Sequence, residues 1–322
     1  MGPAKRQIGI ANSTRKILDK RRAAGLTLPS RKSKMCRSAN DLAKDILAKT
    51  DAPTTLDVSK ILRRWSFGAN INRANIRQAG QQFVYSDTFG LVKNYIGVWS
   101  ASAVTKKYPF IFKLLLAWIS NTLPCSPECK AFLLDGFTTL TLNKGRYGKG
   151  AGLHRDANNQ GPTLLASTGN FSKGELLYWP CDDGKLSPIG ASASTDCVTL
   201  CTNNMPRVID GRKTHAVADY EKGQQPTPMD RFSVVCYSLN SCLLAPGAVR
   251  SECAKSYGIP MPSQTRQASL AIADARRAST RQQVSTPTCT RCEVKGPVGA
   301  EGENGRRWKC LRPGCMKKFR VS

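Results

Sequence analysis

The sequence predicts an α+β chain in which a helical layer precedes an antiparallel barrel or sandwich, with a basic tail ahead of it and a small cysteine module behind. Three observations predict this. Residues 108–120 form one apolar stretch of helical length, ended by the proline-bounded segment 124–127. Four short runs further on are β-branched or aromatic and are separated by turns rich in Gly, Pro, Asn and Asp. Helix first and strands afterwards, without regular alternation, is the pattern of segregated layers. With 322 residues, 40% of them hydrophobic, the chain is long enough to bury a sizeable core.

Residues 1–60 are rich in Lys, Arg, Ser and Ala and contain Lys20-Arg21-Arg22 and Arg31-Lys32-Ser33-Lys34. Their apolar residues are too sparse for a core, so a disordered basic tail is expected, with transient helices near 17–24 and 42–47. Residues 61–245 have the composition of a globular domain. Its helix is expected at 108–120 and its strands at 137–142, 175–179, 197–201 and 231–237. Residues 246–287 read as a polar linker with one helix near 267–281, and residues 288–322 as the cysteine module.

Charge and cysteine usage narrow the class. There are 49 Lys and Arg against 22 Asp and Glu, a formal net charge of +27. That excess favours a polyanionic partner, with nucleic acid, DNA foremost, ahead of membrane. The most apolar window, 108–119, is too short to span a bilayer and contains Lys113. No secretory pattern follows Met1, and 13 cysteines cannot all pair, so thiols or metal ligands in a reducing, nuclear setting are expected.

The chain has only two histidines, His154 and His215. In His154-Arg155-Asp156 the imidazole and carboxylate are two residues apart, so on extended backbone both leave the same face. His215 opens a β-prone run after the turn at Asp210-Gly211 and can supply a third ligand. Two histidines and one carboxylate with an open coordination face form the facial triad of non-haem Fe(II) oxygenases, whereas thiolates would favour zinc. Sixteen residues on, Arg231 and Ser233 share one strand face and can hold a carboxylate by charge-assisted contacts, which implies a diacid co-substrate. Taken singly, each motif has a plain alternative: a satisfied core histidine, a turn at 156–159, or an ion pair of Arg231 with Asp219 or Glu221.

This ordered set resembles the Fe(II)- and 2-oxoglutarate-dependent dioxygenases over residues 137–239. The resemblance implies a double-stranded β-helix (jelly roll) core with flanking helices, iron held by His154, Asp156 and His215, and 2-oxoglutarate held by Arg231 and Ser233, with O2 as the second co-substrate. Further residues are similar to the TET/JBP group, which oxidises the methyl of 5-methylcytosine or thymine in DNA. They are Thr139-Leu140-Thr141-Leu142-Asn143, His154-Arg155-Asp156-Ala157-Asn158-Asn159, Gly169-Asn170-Phe171-Ser172-Lys173-Gly174-Glu175-Leu176 and Asp230-Arg231-Phe232-Ser233-Val234-Val235. The sequence departs from that group at Lys173, which stands where the group has glycine, in an expanded stretch between Asp156 and His215, and in residues 224–228. Loops of this kind shape a substrate mouth. A flipped base would be read near Asn143 and Asn158. Arg146, Lys149 and Arg155 would meet phosphates at the rim, and Gly145, Gly148, Gly150 and Gly152 would permit close backbone approach. A protein hydroxylase, an alkylated-base demethylase, or a nucleic-acid-binding protein without catalysis are the alternatives.

At the C-terminal end, Cys289 and Cys292 are followed after seventeen residues by Cys310 and Cys315. Four thiolates at this spacing can surround one structural Zn(II), and so small a segment has no other core. Arg306, Arg307 and Trp308 interleave charge with an aromatic, which suits phosphate contact and base stacking. The segment is similar to GRF-type fingers and zinc ribbons.

Overall fold

In a computed structural model, the described residues are 32–73, 76–77, 81–94 and 96–262, with three further strands between 298 and 320. The chain divides into two units, Met1–Gln264 and Thr265–Ser322.

The first unit opens with helix α1 (Lys32–Leu47) and helix α2 (Thr55–Arg64). Cys36, Ala39, Asn40 and Ala43 recur at helical spacing along α1, and all four are buried. The expected disordered tail of 1–60 therefore gives way to packed structure by residue 32. The buried stripe of α1 is built from small residues, which carry little weight in a hydropathy reading. Thr54 caps α2: its hydroxyl accepts from the Asp57 amide, and the Asp57 carboxylate accepts from the Thr54 amide, both at 3.1 Å. Val58, Ile61 and Leu62 of α2 are buried.

Short strands β1 (Ala69–Asn70) and β3 (Trp99–Ala101) flank the long β2 (Val84–Lys93). Helix α3 (Ala103–Lys107) leads into α4 (Pro109–Ala117), which continues through a π turn at Trp118–Thr122. This is the helix expected at 108–120, with Pro109 at its first turn and Ile111, Phe112, Leu114 and Leu115 buried. Helix α5 (Pro127–Asp135) follows.

The β layer comprises β4 (Thr139–Lys144), β5 (Asn159–Thr168), β6 (Phe171–Lys173), β7 (Leu176–Tyr178), β8 (Val198–Leu200), β9 (Arg207–Ile209), β10 (His215–Val217), β11 (Tyr220–Lys222) and β12 (Phe232–Leu239), with helix α6 (Pro188–Ser194) between β7 and β8. An antiparallel seven-stranded sheet runs β1-β2-β4-β12-β5-β9, and β3 pairs with β2. Two smaller sheets run β10-β7-β8 and β11-β6. Among the described residues these sheets stay separate and do not close into one barrel. The four expected strands correspond to β4, β7, β8 and β12. The longest ones, β2 and β5, were not anticipated. Asn159, Gly161 and Pro162 disguise β5; Gly161, at φ +72°, lies where the β5–β12 register shifts, so a bulge absorbs Gly161 and Pro162.

Helix α7 (Gly247–Tyr257) ends at left-handed Gly258, and Cys253 and Ile259 are buried. Residues 247–257, expected as linker, are thus helical, and the helix expected at 267–281 lies outside the described residues.

Phe232, Val234 and Cys236 alternate along β12 toward one core with Phe89, Leu140, Leu142, Leu164 and the buried residues of α4. The period of two then leaves Ser233, Val235 and Tyr237 on the opposite face. That face, together with Asn143 of β4, is where the candidate site lies.

The second unit contains a three-stranded antiparallel sheet, β13 (Val298–Glu301), β14 (Arg307–Cys310) and β15 (Lys318–Arg320). Trp308 is in register with Phe319, and Cys310 with Val298. Cys289, Cys292, Cys315 and Arg306 lie outside the described residues.

Candidate metal centre

His215 opens β10, and its backbone pairs with His154: each amide donates to the other's carbonyl at 3.0 Å. The Asp156 amide donates to the Gly211 carbonyl at 2.8 Å, so the doublet is fastened to the turn before β10. This brings the ligand atoms of His154, Asp156 and His215 within 4.8 Å of one another, and the two rings stand 4.1 Å apart at 54°. Each Nε2 is 3.9 Å from a different oxygen of Asp156.

Backbone carbonyls fix both tautomers. His154 Nδ1 is 2.7 Å from the Gly152 oxygen, and His215 Nδ1 is 2.8 Å from the Lys213 oxygen. A carbonyl can only accept, so each Nδ1 bears the proton and each Nε2 keeps its lone pair for an ion. Burial, seconded by the neighbouring His215, lowers the His154 pKa to about 4 against the opposing pull of Asp156. The imidazole is therefore neutral at neutral pH, as a ligand must be. Asn159, buried at the start of β5, donates to Asp156 Oδ2 at 3.5 Å and to Thr163 at 3.1 Å. Asn158, singled out from the sequence, is exposed.

The three residues line a cavity that spans some 1010 Å³ with its open mouth and lies between the seven-stranded sheet and the β10-β7-β8 sheet. Arg231 is on its wall. Nη1 donates to Ser233 Oγ at 2.5 Å and Nη2 to the Gly174 carbonyl at 3.1 Å, while Nε is buried with no partner. Phe171 lies under the guanidinium at 5.2 Å. Desolvation brings the Arg231 pKa down to about 10, opposed by Tyr220 and Glu175. The suspected ion-pair partners are engaged elsewhere, Asp219 with Lys149 at 2.6 Å and Glu221 with Lys173 at 2.5 Å. Among the described residues no carboxylate forms a salt bridge with Arg231, so the guanidinium is buried beside the cavity with only the more distant charge of Glu175 acting on it.

The rim differs from expectation in several places. Arg146 lines the cavity with its guanidinium over Tyr147 at 4.4 Å, Phe83 at 5.0 Å and Tyr85 at 5.7 Å. Lys149 lines the cavity as well. Arg155, expected at phosphates, turns away to make two 2.6 Å hydrogen bonds to Asp182. Asn143 accepts from Arg73 at 3.1 Å, and Arg73, which the sequence reading missed, also lines the cavity. No motif surrounds Arg73 in the sequence. The nearby glycines serve the chain's own packing: a Cβ at Gly150 would lie 1.9 Å from the Val217 carbonyl, and one at Gly145 would lie 2.4 Å from the Tyr220 hydroxyl. Lys173 has φ +61°, which accounts for glycine at that place in the resembling motif.

No family model matches the chain, and no curated protein matches it. Among solved structures it is similar to an oxidoreductase of the 2OG-Fe(II) oxygenase family from Burkholderia pseudomallei, at 12% identity and a TM-score of 0.34 over 50% of this chain and 69% of that one. It is similar to OsALKBH1 at 12% identity and a TM-score of 0.34, over 59% of this chain and 94% of that one. It is also similar to NgTET1 in complex with 5mC DNA at 16% identity and a TM-score of 0.26, over 61% of this chain and 90% of that one.

Proposed function

We propose that the chain is an Fe(II)- and 2-oxoglutarate-dependent dioxygenase that oxidises a methyl group on a nucleic-acid base, with 5-methylcytosine or thymine in DNA as the leading substrates. The observation that carries this reading is one cavity bounded both by the His154, Asp156 and His215 cluster and by the buried, salt-bridge-free Arg231. Two imidazoles and one carboxylate are a hard-to-borderline donor set that would suit iron, and all three side chains line the cavity. Arg231 and Ser233 would take the distal carboxylate of 2-oxoglutarate, and Arg231 Nε supplies a spare donor.

Bound Fe(II), with 2-oxoglutarate and O2, supplies an oxidant strong enough to attack a C–H bond. The chain's own residues do the rest. The Gly152 and Lys213 carbonyls hold both histidines in the ligating tautomer. Leu165, Leu176, Val217 and Val235 give the cavity an apolar lining that limits water at the reacting centre. Phe83, Tyr85 and Arg146 offer aromatic and cationic surface for a planar base, with Arg73 and Asn143 as polar partners. We assign the C-terminal unit, with a Zn(II) held by Cys289, Cys292, Cys310 and Cys315, to nucleic-acid attachment in the nucleus. Arg307 and Trp308 sit together on its central strand.

The test incubates Fe(II)-loaded protein with 2-oxoglutarate and methylated DNA and reads oxidised bases by mass spectrometry and succinate by chromatography. Both products are expected, and His154→Ala should abolish both. Succinate formed only with a peptide substrate would overturn the base reading and leave the iron and diacid assignment standing.

A further inference from the structure

The doublet His154-Arg155-Asp156 has its middle residue outside the metal cluster, and the residue before His215 is likewise outside it. Both reach the same group. Arg155 Nε and Nη2 donate to the two oxygens of Asp182 at 2.6 Å each. The Thr214 amide and hydroxyl donate to Asp182 Oδ2 at 2.6 and 2.7 Å, and the Gly184 amide donates to Oδ1 at 2.9 Å. Five hydrogen bonds thus converge on one carboxylate whose side chain is 1% exposed.

Its location follows from the sheet. Strand β7 pairs with β10 so that Tyr178 faces His215, and the Trp179 amide still donates to the Thr214 carbonyl at 3.0 Å. The turn that follows, closed by the Asp182 amide on the Trp179 carbonyl at 3.2 Å, returns Asp182 to Thr214. The paired backbones of His154 and His215 fix the histidines to each other. Asp156, two residues along, is anchored through its own amide to Gly211 and, on the other side of the doublet, through Arg155.

We propose that Asp182 is a positioning residue of the metal centre: its carboxylate fastens the 154–156 segment to the start of β10 and sets the separation of the three ligand atoms before an ion arrives. The inference rests on the iron reading above and extends it to a residue that touches neither ion nor substrate. A bidentate Arg–carboxylate pair defines direction as well as distance, and in this buried setting it cannot be replaced by solvent. It also removes Arg155 from the nucleic-acid surface.

Co(II) titration of the full chain, followed by its visible ligand-field absorption, separates the outcomes. Beyond any Co(II) taken by the C-terminal cysteines, which thiolate charge-transfer bands would mark, wild-type protein is expected to bind one further Co(II) and His154→Ala none; a wild type that binds no further Co(II) overturns the iron reading and this inference with it. With that reading standing, Asp182→Asn should weaken Co(II) binding by about tenfold or more and alter the spectrum, because the ligand geometry relaxes. Unchanged affinity and an unchanged spectrum would overturn the positioning role. Thr214→Val, which deletes one hydrogen bond and keeps the charge, carries the test where Asp182→Asn folds poorly. A loss of a few-fold, about 0.5–1.5 kcal/mol for one hydrogen bond, supports the role, and wild-type affinity overturns it. In the metal-free protein, faster exchange of the Thr214 amide in Asp182→Asn reports the same loosening without any ion.

Discussion

At the residue scale, Arg231 departs furthest from what a folded chain does for its own stability. A buried guanidinium with an orphaned Nε and no salt bridge costs free energy, which the binding of an anion would offset. Arg231→Met should therefore cost about 2–5 kcal/mol of 2-oxoglutarate affinity by calorimetry while leaving ligand-free thermal stability unchanged or raised. A parallel fall in stability would mark Arg231 as a structural cation instead. The pH response has a fixed sign. His154 is held at about 4, below the ordinary 6.5, so the unfolded chain takes up that proton first. Metal-free protein should lose stability as pH falls from about 6.5 to about 4 and gain no further loss from His154 below that, as followed by thermal melts. Asp182 adds a second, more acidic window: burial alone would raise its pKa, yet the bonds from Arg155, Thr214 and Gly184 bring it to about 2, so its stabilisation is full above 3.8 and is lost as pH falls from there through about 2. Much of this site was legible in the sequence because period two puts His154 with Asp156, and Arg231 with Ser233, on common faces. Arg73 and Asp182 were not, since their roles depend on chain segments that meet only in the folded unit.

At the scale of elements, legibility followed hydrophobic contrast. The helix at 108–120 and the strand at 232–239 announce themselves by large apolar residues, whereas α1 packs through Ala39, Ala43 and Cys36. Small residues let helices approach closely, and such a stripe resembles a polar tail until its partner is known. Ala43→Glu should consequently detach α1, because a carboxylate at a position of 0% exposure has no partner there; loss of helical circular dichroism with a lower melting temperature is the expected result. Helix α2 offers a quantitative check. Thr54→Ala and Asp57→Ala each break the reciprocal cap and should cost about 1 kcal/mol in denaturant melts. The double variant should cost less than the sum, since both single changes disable one device. Helix α2 also touches the site's framework, as Arg63 Nε meets Asp230 at 2.5 Å and Asp230 Oδ1 accepts from the Asn170 amide at 2.7 Å. Asp230 immediately precedes Arg231, so the helical layer steadies the entry to β12.

At the scale of the whole molecule, the net charge of +27 is unevenly shared between two units that the backbone already separates at residue 264. The first unit carries every residue of the candidate centre and its own apolar core; among its described residues no helix is long and apolar enough to cross a membrane. Residues 265–322 carry thirteen Lys and Arg against four Asp and Glu in 58 positions, together with four cysteines. A polyelectrolyte partner responds to such a segment through counterion release, so each lost phosphate contact flattens the dependence of log affinity on log salt by about 0.9 for duplex DNA. Removing residues 265–322 should therefore leave the thermal stability and 2-oxoglutarate affinity of the first unit intact, weaken DNA binding, and make its salt dependence shallower. Cys289→Ala with Cys292→Ala in the full chain should reproduce the loss of DNA affinity without touching 2-oxoglutarate binding, because zinc would drive folding of the C-terminal unit alone. Equal salt slopes with and without residues 265–322 would instead locate the phosphate contacts on the first unit, at Arg73, Arg146 and Lys149 around the cavity, and the two measurements together assign the charge to delivery of the polymer or to capture of the base.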